Sequence, residues 1–259
     1  MSAYQRVLAA RNKQRPNALR YIDHMVSGFV ELHGDRRQGE DAAVVAGLGF
    51  FGKRCVTVLA LEKGVDTPDR LKRNFGSAQP EGYRKSLWHL RQAEKFKRPV
   101  LCFVDTAGAA CGIGAEERGQ GQAIAENLWE MMGLQVPVLS VIIGEGGSGG
   151  ALALAAASRV WMLENAIYSV LSPEGAASII YKDAGKVAEA SEALRLSAQD
   201  MLAFGVIEGI LPEGEGFSEA LPAVRQAFEE ALSAFDGMTG EEIRQARYAR
   251  FRGMGGDWA

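Results

Sequence analysis

The amino-acid sequence predicts an α/β fold, and three observations carry that prediction. Apolar runs of strand length alternate with helix-length amphipathic runs between Pro99 and Leu163. Two further strand-like runs meet at Gly52-Lys53, a tight-turn pair. Amphipathic segments flank this region on both sides.

Taken in order, "NALRYIDHMVSGFVEL" places Leu19, Ile22, Met25, Val26, Phe29 and Val30 at helical spacing and predicts one helix. "AAVVAGLGFF" and "RCVTVLALEKG" follow as a strand pair. "DRLKRNFGSAQP" is a looser basic segment, and "EGYRKSLWHLRQAEKF" is an amphipathic helix closed by Pro99. "PVLCFVDTAG" is an apolar strand that runs into a glycine-containing loop. "AEERGQGQAIAENLWEMMG" is a helix with Ala123, Ile124, Leu128, Met131 and Met132 on one side. "VPVLSVII" is a second buried strand, "ALALAAASR" a short helix of small residues, and "VWML" a third strand. Strands separated by helices pair in parallel through crossovers. A last amphipathic helix, "SEALPAVRQAFEEALSAF", presents Leu221, Val224, Phe228, Ala231 and Phe235 on one face.

A chain of 259 residues with 47% hydrophobic content suits one large domain, or one domain with helical extensions. There is no repeat of solenoid length and no low-complexity linker. A net charge of -3 argues against nucleic acid as the main partner. The cysteines, Cys55, Cys102 and Cys111, are odd in number and without C-x-x-C spacing, which argues against a disulfide framework or a zinc site. Cys55 and Cys102 are expected to pack as small hydrophobes. The charged N-terminal stretch lacks the apolar core of a signal peptide. No apolar run reaches membrane-spanning length without charges or glycine clusters, so a cytoplasmic protein is expected.

The stretch "VIIGEGGSGGALAL" supports three readings. Gly146, Ser148 and Gly150 spell the nucleophile elbow of serine hydrolases. Its histidine would have to follow the serine, yet His24, His33 and His89 all precede Ser148; their plain reading is as surface or interface residues. Gly144, Gly146 and Gly149 spell a dinucleotide fingerprint, with Glu164 as the ribose-binding acid. Too little sequence follows for a six-stranded dinucleotide fold, and five glycines stand where three suffice. The third reading is a bare-backbone oxyanion site at a strand-to-helix junction. Tight packing of helix on strand is the structural alternative.

Several motifs together resemble the carboxyltransferase alpha subunits of bacterial acetyl-CoA carboxylase. They are "QRPNALRYID…FVELHGDR", "RNFGSAQPEGYRKSL", "DTAGAACGIGAEERGQGQAIAENL", "VIIGEGGSGGALAL" with "VWMLENAIYSVLSPEGAASI", and "LSAQDMLAFGVIEGILPE", in family order over nearly the whole chain. The resemblance implies a crotonase-like spiral of ββα units with flanking N- and C-terminal helices. It implies a single carboxyltransferase domain over 1–259, with an N-terminal helical segment (1–40), a core (41–212) and C-terminal helices (213–259). It further implies transfer of a carboxyl group from carboxybiotin, borne on a carrier protein, to acetyl-CoA, giving malonyl-CoA for fatty acid synthesis. Both are substrates, and no covalent cofactor is expected in this chain. The implied partners are a beta subunit bearing a four-cysteine zinc ribbon, in an α2β2 assembly, the biotin carboxyl carrier protein, and biotin carboxylase. Neither membrane nor nucleic acid is expected as a partner.

Such chemistry needs no side-chain base, because the biotin anion left after loss of CO2 can take the methyl proton; the protein supplies positioning and oxyanion sites. The biotin oxyanion site is assigned to backbone N–H groups of Gly149 and Gly150, helped by the Gly108 loop. Gly146, Gly147, Ala109 and Ala151 are assigned to substrate binding, and no metal is expected. The family has Pro, Tyr and Pro where this chain has Ala107, Ala110 and Cys111, which predicts a less rigid loop. An inactive or different-substrate paralogue is the alternative that this change favours. Glu116, Glu117 and Glu174 are read as helix N-terminal charges rather than acid–base groups. The basic segment from Arg70 to Arg98, Lys72 and Arg73 foremost, is either a solvated helix face or an attractor of CoA phosphates or an acidic carrier.

Overall fold

The computed structural model describes residues 1–255; the last four residues of the expected C-terminal helical segment lie outside it. Helix α1 (Ala3–Ala10) starts in a capping box of Ser2 and Gln5, and α2 (Ala18–Met25) is capped by Asn17. The helix expected to run on through Val30 stops at Met25. Val26 is extended, Gly28 is left-handed at φ +61, and Ser27–Glu31 forms strand β1. Phe29 and Val30 therefore belong to a strand, because pairing with β2 (Val44–Phe51) overrides the local period. The partner strand is shaped for this: a Cβ at Gly47 would sit 2.7 Å from the Phe29 ring, and one at Gly49 2.4 Å from Val26. The sheet thus begins ahead of residue 41.

Strand β2 turns at Gly52-Lys53 into β3 (Arg54–Leu61), as the sequence predicts. The basic segment contains a short helix, α3 (Thr67–Lys72), capped by Asp66, and a 3-10 turn at Asn74–Gly76. Helix α4 (Pro80–Lys95) leads to β4 (Val100–Thr106). The single helix expected over 115–133 is two, α5 (Ile113–Glu117) and α6 (Gln120–Gly133), because Gly119 at φ +81 breaks the path. Strand β5 (Val138–Gly147), α7 (Ser148–Ala155), β6 (Arg159–Leu163) and β7 (Ile167–Ser169) follow. Next come α8 (Pro173–Ala176), a π turn at Ala177–Tyr181, α9 (Val187–Ala193), α10 (Ala198–Ala203) and β8 (Gly209–Leu211). Helices α11 (Ala220–Ala234) and α12 (Gly240–Gly253) close the described chain.

The strand order is β1-β2-β3-β4-β5-β6-β8, antiparallel through β3 and parallel from there on. Strand β5 has two partners on one side: β6 along Leu139–Ile142, then β7 along Glu145–Gly147. Its C-terminal end thereby leaves β6 and carries the glycines to a separate edge. Every residue of β4 is buried, as expected of a parallel sheet covered on both faces. Tyr21 stacks on Phe103, and Phe228 packs tilted against the same ring, tying α2 and α11 to that strand.

Three single-residue expectations change. Cys55 is exposed, because the hairpin's first residues reach beyond the core; Cys102 is buried, and burial pushes its thiol pKa up. His33 follows a strand rather than a helix. His89 is buried on α4 rather than at the surface, and burial, then Lys85 and Arg36, pull its pKa down to about 4.

Candidate active site

Strands β4 and β5 are parallel neighbours, and their C-terminal ends bring two loops to one place. Thr106 pairs with Gly146, and beyond them the 107–112 loop lies against the start of α7. The approach is closer than any side chain permits. A Cβ on Gly147 would sit 2.1 Å from the Ala107 carbonyl oxygen and 2.6 Å from the Gly108 nitrogen. One on Gly150 would sit 2.5 Å from the Ala109 nitrogen and 2.8 Å from the Tyr83 hydroxyl. Gly108, Ala109, Gly146, Gly147, Gly149, Gly150 and Ala151 are thus gathered in one cluster.

No side chain caps α7, so the N–H groups of its first turn lack acceptors within the helix and stand at the positive end of its dipole. Gly149 is half-buried, and a Cβ added to it would meet only Ile124, at an ordinary contact distance of 3.7 Å. It borders an apolar cleft of about 320 Å³ formed with Leu152, Tyr168, Val170 and Met201. Gly150 is buried against the other loop. The Gly108 N–H is taken by Thr106 Oγ1 at 3.1 Å. Within the cluster, Gly149 is therefore the more accessible position. Ser148 is exposed at φ +51, an uncommon and strained conformation for a residue with a side chain. Its hydroxyl bonds to no histidine among the described residues.

The loop that lacks proline is braced by other means. Thr106 Oγ1 also donates to the Gly108 carbonyl at 2.9 Å. The Ala110 N–H donates to the Ala78 carbonyl at 2.9 Å, and Gln120 Nε2 donates to the carbonyls of both Ala78 and Ala110 at 2.8 Å. Ala110 is buried and Cys111 exposed at the loop's crown.

Beside the loops lies an ion network, largely buried at Lys63, Asp105 and Glu145 and exposed at Arg11 and Glu174, that sequence reading missed. Lys63 Nζ reaches Asp105 at 2.7 Å and Glu145 at 2.5 Å. Arg11 bridges Glu145 at 2.7 Å and Glu174 at 2.5 Å. Burial opposes the charge on Lys63, but Asp105 and Glu145 outweigh it and hold its pKa above the ordinary lysine value. Burial likewise opposes the charge on Glu145, but Lys63 and Arg11 pull its pKa down. The Asp105 carboxylate also accepts the Glu145 N–H at 2.8 Å and fills the space that Gly144 leaves. The network so fixes the two strand ends relative to each other. Glu174 sits in the first turn of α8, as a dipole partner would, yet its strongest interaction is with Arg11. Glu116 stands in the first turn of α5.

The basic segment is mostly partnered within the chain. Arg73 binds Asp69 and the Ala42 carbonyl, Arg84 binds Asp35 and Glu81, and Lys85 is enclosed with Glu40 and the Val44 carbonyl. Lys72 is exposed on α3. Neither Lys72 nor Arg73 lines the cavity of about 570 Å³ that opens beside Ala107 and Glu145; Arg70 and Phe75 do. Among the described residues, no group of three or more His, Cys, Asp or Glu is placed to hold a metal ion, and no helix is long and apolar enough to cross a membrane.

The consecutive strand order lacks the reversal at which doubly wound sheets bind dinucleotides, and Glu164 is engaged by the Glu213 N–H at 3.1 Å. Solved structures share the fold. A transcarboxylase 12S superimposes with a TM-score of 0.71 at 19% identity, over 85% of this chain and 42% of that one. A Pseudomonas malonate decarboxylase hetero-tetramer does so with a TM-score of 0.67 at 20% identity, over 83% and 91%. The fold is thus the crotonase-like one of acyl-group carboxyltransferases and decarboxylases. Residues 1–255 match the model of the acetyl co-enzyme A carboxylase carboxyltransferase-like family, and the chain belongs to that family. Similar relatives are the acetyl-coenzyme A carboxylase carboxyl transferase subunits alpha of Ruminiclostridium cellulolyticum and Clostridium perfringens. The first is 54% identical over 98% of both chains, and the second 50% identical over 97% of this chain and 95% of its own.

Proposed function

We propose that this chain is the alpha half of an acetyl-CoA carboxyltransferase, working in the cytoplasm and active only with a separate beta subunit. The observation that carries the reading is the meeting of two glycine loops at the ends of β4 and β5. It offers backbone donors beside a low-polarity cleft and, among the described residues, no paired nucleophile and base. Gly149 and Gly150, steadied by the Gly108 loop, hold the ureido oxygen of biotin as negative charge develops there. Gly146, Gly147, Ala109 and Ala151 shape the wall around it. The carboxyl group passes to the acetyl methyl carbon, whose proton leaves to the biotin anion, and malonyl-CoA results. The thioester oxygen is held by the beta subunit, which brings the zinc ribbon. The carrier protein and biotin carboxylase complete the assembly.

The experiment is malonyl-CoA-dependent carboxylation of a biotin derivative by the chain alone and with its beta subunit. Activity in the mixture alone is expected. Activity in the chain alone overturns the half-site reading. Inactivity of a well-formed complex supports the second reading, an inactive paralogue, for which the altered Ala107, Ala110 and Cys111 are the specific observation.

A further inference from the structure

We propose that Tyr83 is a positioning residue of the oxyanion site and acts through Gly150. The inference rests on the carboxyltransferase reading and adds to it a residue outside both glycine loops. Tyr83 lies in the first turn of α4, wholly buried in the main core. Its ring packs as any core ring does, but its hydroxyl makes no hydrogen bond among the described residues. A phenylalanine would fill nearly the same volume with no polar atom to desolvate, and a buried hydroxyl without a partner lowers stability. Packing of the ring therefore leaves the oxygen unexplained.

The place of that oxygen supplies a reason. The point at which a Gly150 Cβ would lie is 2.5 Å from the Ala109 nitrogen, 2.8 Å from Tyr83 Oη and 3.0 Å from the Gly108 carbonyl carbon. Two of these atoms are backbone of the 107–112 loop. The third comes from α4 and is the only side-chain atom of the three. Gly150 is thus held between two elements, and Tyr83 is the contact through which α4 takes part. The start of α4 is itself firmly seated. The Gln79 N–H donates to Asp41 Oδ2 at 2.7 Å, and a Cβ at Gly82 would stand 2.6 Å from the same oxygen. Ala78, just ahead of the helix, accepts the Ala110 N–H and so anchors the loop as well. One rigid helix start therefore sets both walls around Gly150, and with them the direction of the N–H groups in the first turn of α7. The hydroxyl is also a dipole. Burial, with Asp41 nearby, pushes its pKa up, so it stays protonated. An O–H without a partner is free to turn toward negative charge that develops at the start of α7, and the buried surroundings strengthen that interaction.

The test uses Tyr83→Phe in the full chain, in complex with its beta subunit. The variant keeps the ring and loses only the oxygen. In malonyl-CoA-dependent carboxylation of a biotin derivative, kcat is expected to fall about tenfold with KM for malonyl-CoA unchanged. Tm is expected to hold or to rise by about 2–4 °C, because an unpaired buried hydroxyl is gone. A merely structural tyrosine would lose activity and Tm together, and that result overturns the inference, as does an unchanged kcat. A second measurement reads the contact itself. Gly150→Ala added to Tyr83→Phe crowds one atom fewer, so the double variant should lose less Tm than the two single changes summed. Additive losses show that the oxygen does not bear on Gly150 and overturn the inference. If the unmutated complex never turns over, the carboxyltransferase reading fails; a non-additive Tm then still establishes that Tyr83 positions Gly150, and an additive one removes that claim too.

Discussion

Replacing Gly150 by alanine tests the site through a single methyl group. Its backbone is not left-handed, so no conformational penalty confuses the result. The added Cβ would stand 2.5 Å from the Ala109 nitrogen and 3.0 Å from the Gly108 carbonyl carbon. Ordinary contact begins near 3.4 Å, so the loops must separate by about 0.9 Å, the difference between 3.4 and 2.5 Å. These two atoms are backbone and cannot swing aside, and the Tyr83 hydroxyl, 2.8 Å away on a buried side chain, crowds the same methyl group. Overpacking of this kind costs about 1–3 kcal/mol, or roughly 2–10 °C in Tm for a chain of this size. A misplacement near 1 Å at reacting groups costs on the order of a hundredfold in rate. Carboxylation of a biotin derivative by the complex should therefore drop about a hundredfold in kcat, while assembly with the beta subunit persists. Gly149→Ala is the control, since its nearest neighbour is 3.7 Å away and its N–H remains. A Gly150→Ala complex with normal kcat refutes the claim that loop contact builds the site. Equal losses in the two variants refute it too, because Gly149→Ala creates no overlap.

Lys63→Met leaves Asp105 without an ion-pair partner among the described residues and Glu145 with Arg11 alone, and should cost about 3–5 kcal/mol. The deficit, measured by urea unfolding, is full at pH 7 and narrows as pH falls below about 4, where carboxylates protonate; a deficit independent of pH would contradict the charge argument. His89 titrates at about 4 when folded against 6.5 for the ordinary side chain, so the unfolded chain binds the extra proton between these values. Its contribution is complete above pH 6.5 and is lost as pH falls toward 4, by up to about 3 kcal/mol. His89→Leu should flatten that part of the stability profile, and an unchanged slope would show that another group causes it. Arg247 is wholly buried, where desolvation pushes its pKa down to about 10, and it donates to the carbonyls of Met131, Leu134 and Val136. Arg247→Met strands those carbonyls and should destabilise by about 3 kcal/mol or more in thermal unfolding; an unaltered Tm would remove α12 from the cooperative core.

The legible parts of this fold are those set by local period. The hairpin at Gly52-Lys53, the parallel strands and the last long helix follow from apolar spacing that matches one secondary structure only. Phe29 and Val30 fit both a helix face and a strand, and the decision came from Gly47 and Gly49 on another strand. Gly119 had no local mark to separate it from a tolerated helical glycine, yet its left-handed backbone divides α5 from α6. Glycine excess pointed to a close approach of backbones, but which glycine meets which atom is a property of two loops about forty residues apart. The Lys63 network was illegible for the same reason, since Lys63, Asp105 and Glu145 end three different strands or their loops. The stretch "RNKQRP" was visible as basic, but only the fold turns Arg11 and Arg15 toward buried carboxylates and leaves Lys13 unpaired.

The altered loop "DTAGAACG" bears on activity through rigidity, and rigidity has more than one source. Proline would restrict the unfolded loop as well as the folded one. Here the folded loop is fixed from outside: by Thr106 at its base, by the Ala78 carbonyl, and by the paired donations of Gln120 to Ala78 and Ala110. These bonds tie the loop to α6 and to the entry of α4, both packed on the core. A further constraint comes from the glycines opposite, since the distances at Gly147 and Gly150 leave the loop no room to move toward α7. Ala110 is buried among the loop's neighbours, whereas Ala107 is exposed and meets Gly147 through its backbone carbonyl. What the chain lacks in proline it supplies by hydrogen bonds and steric confinement, so the departure from the family pattern alters how the loop is held without by itself removing the site.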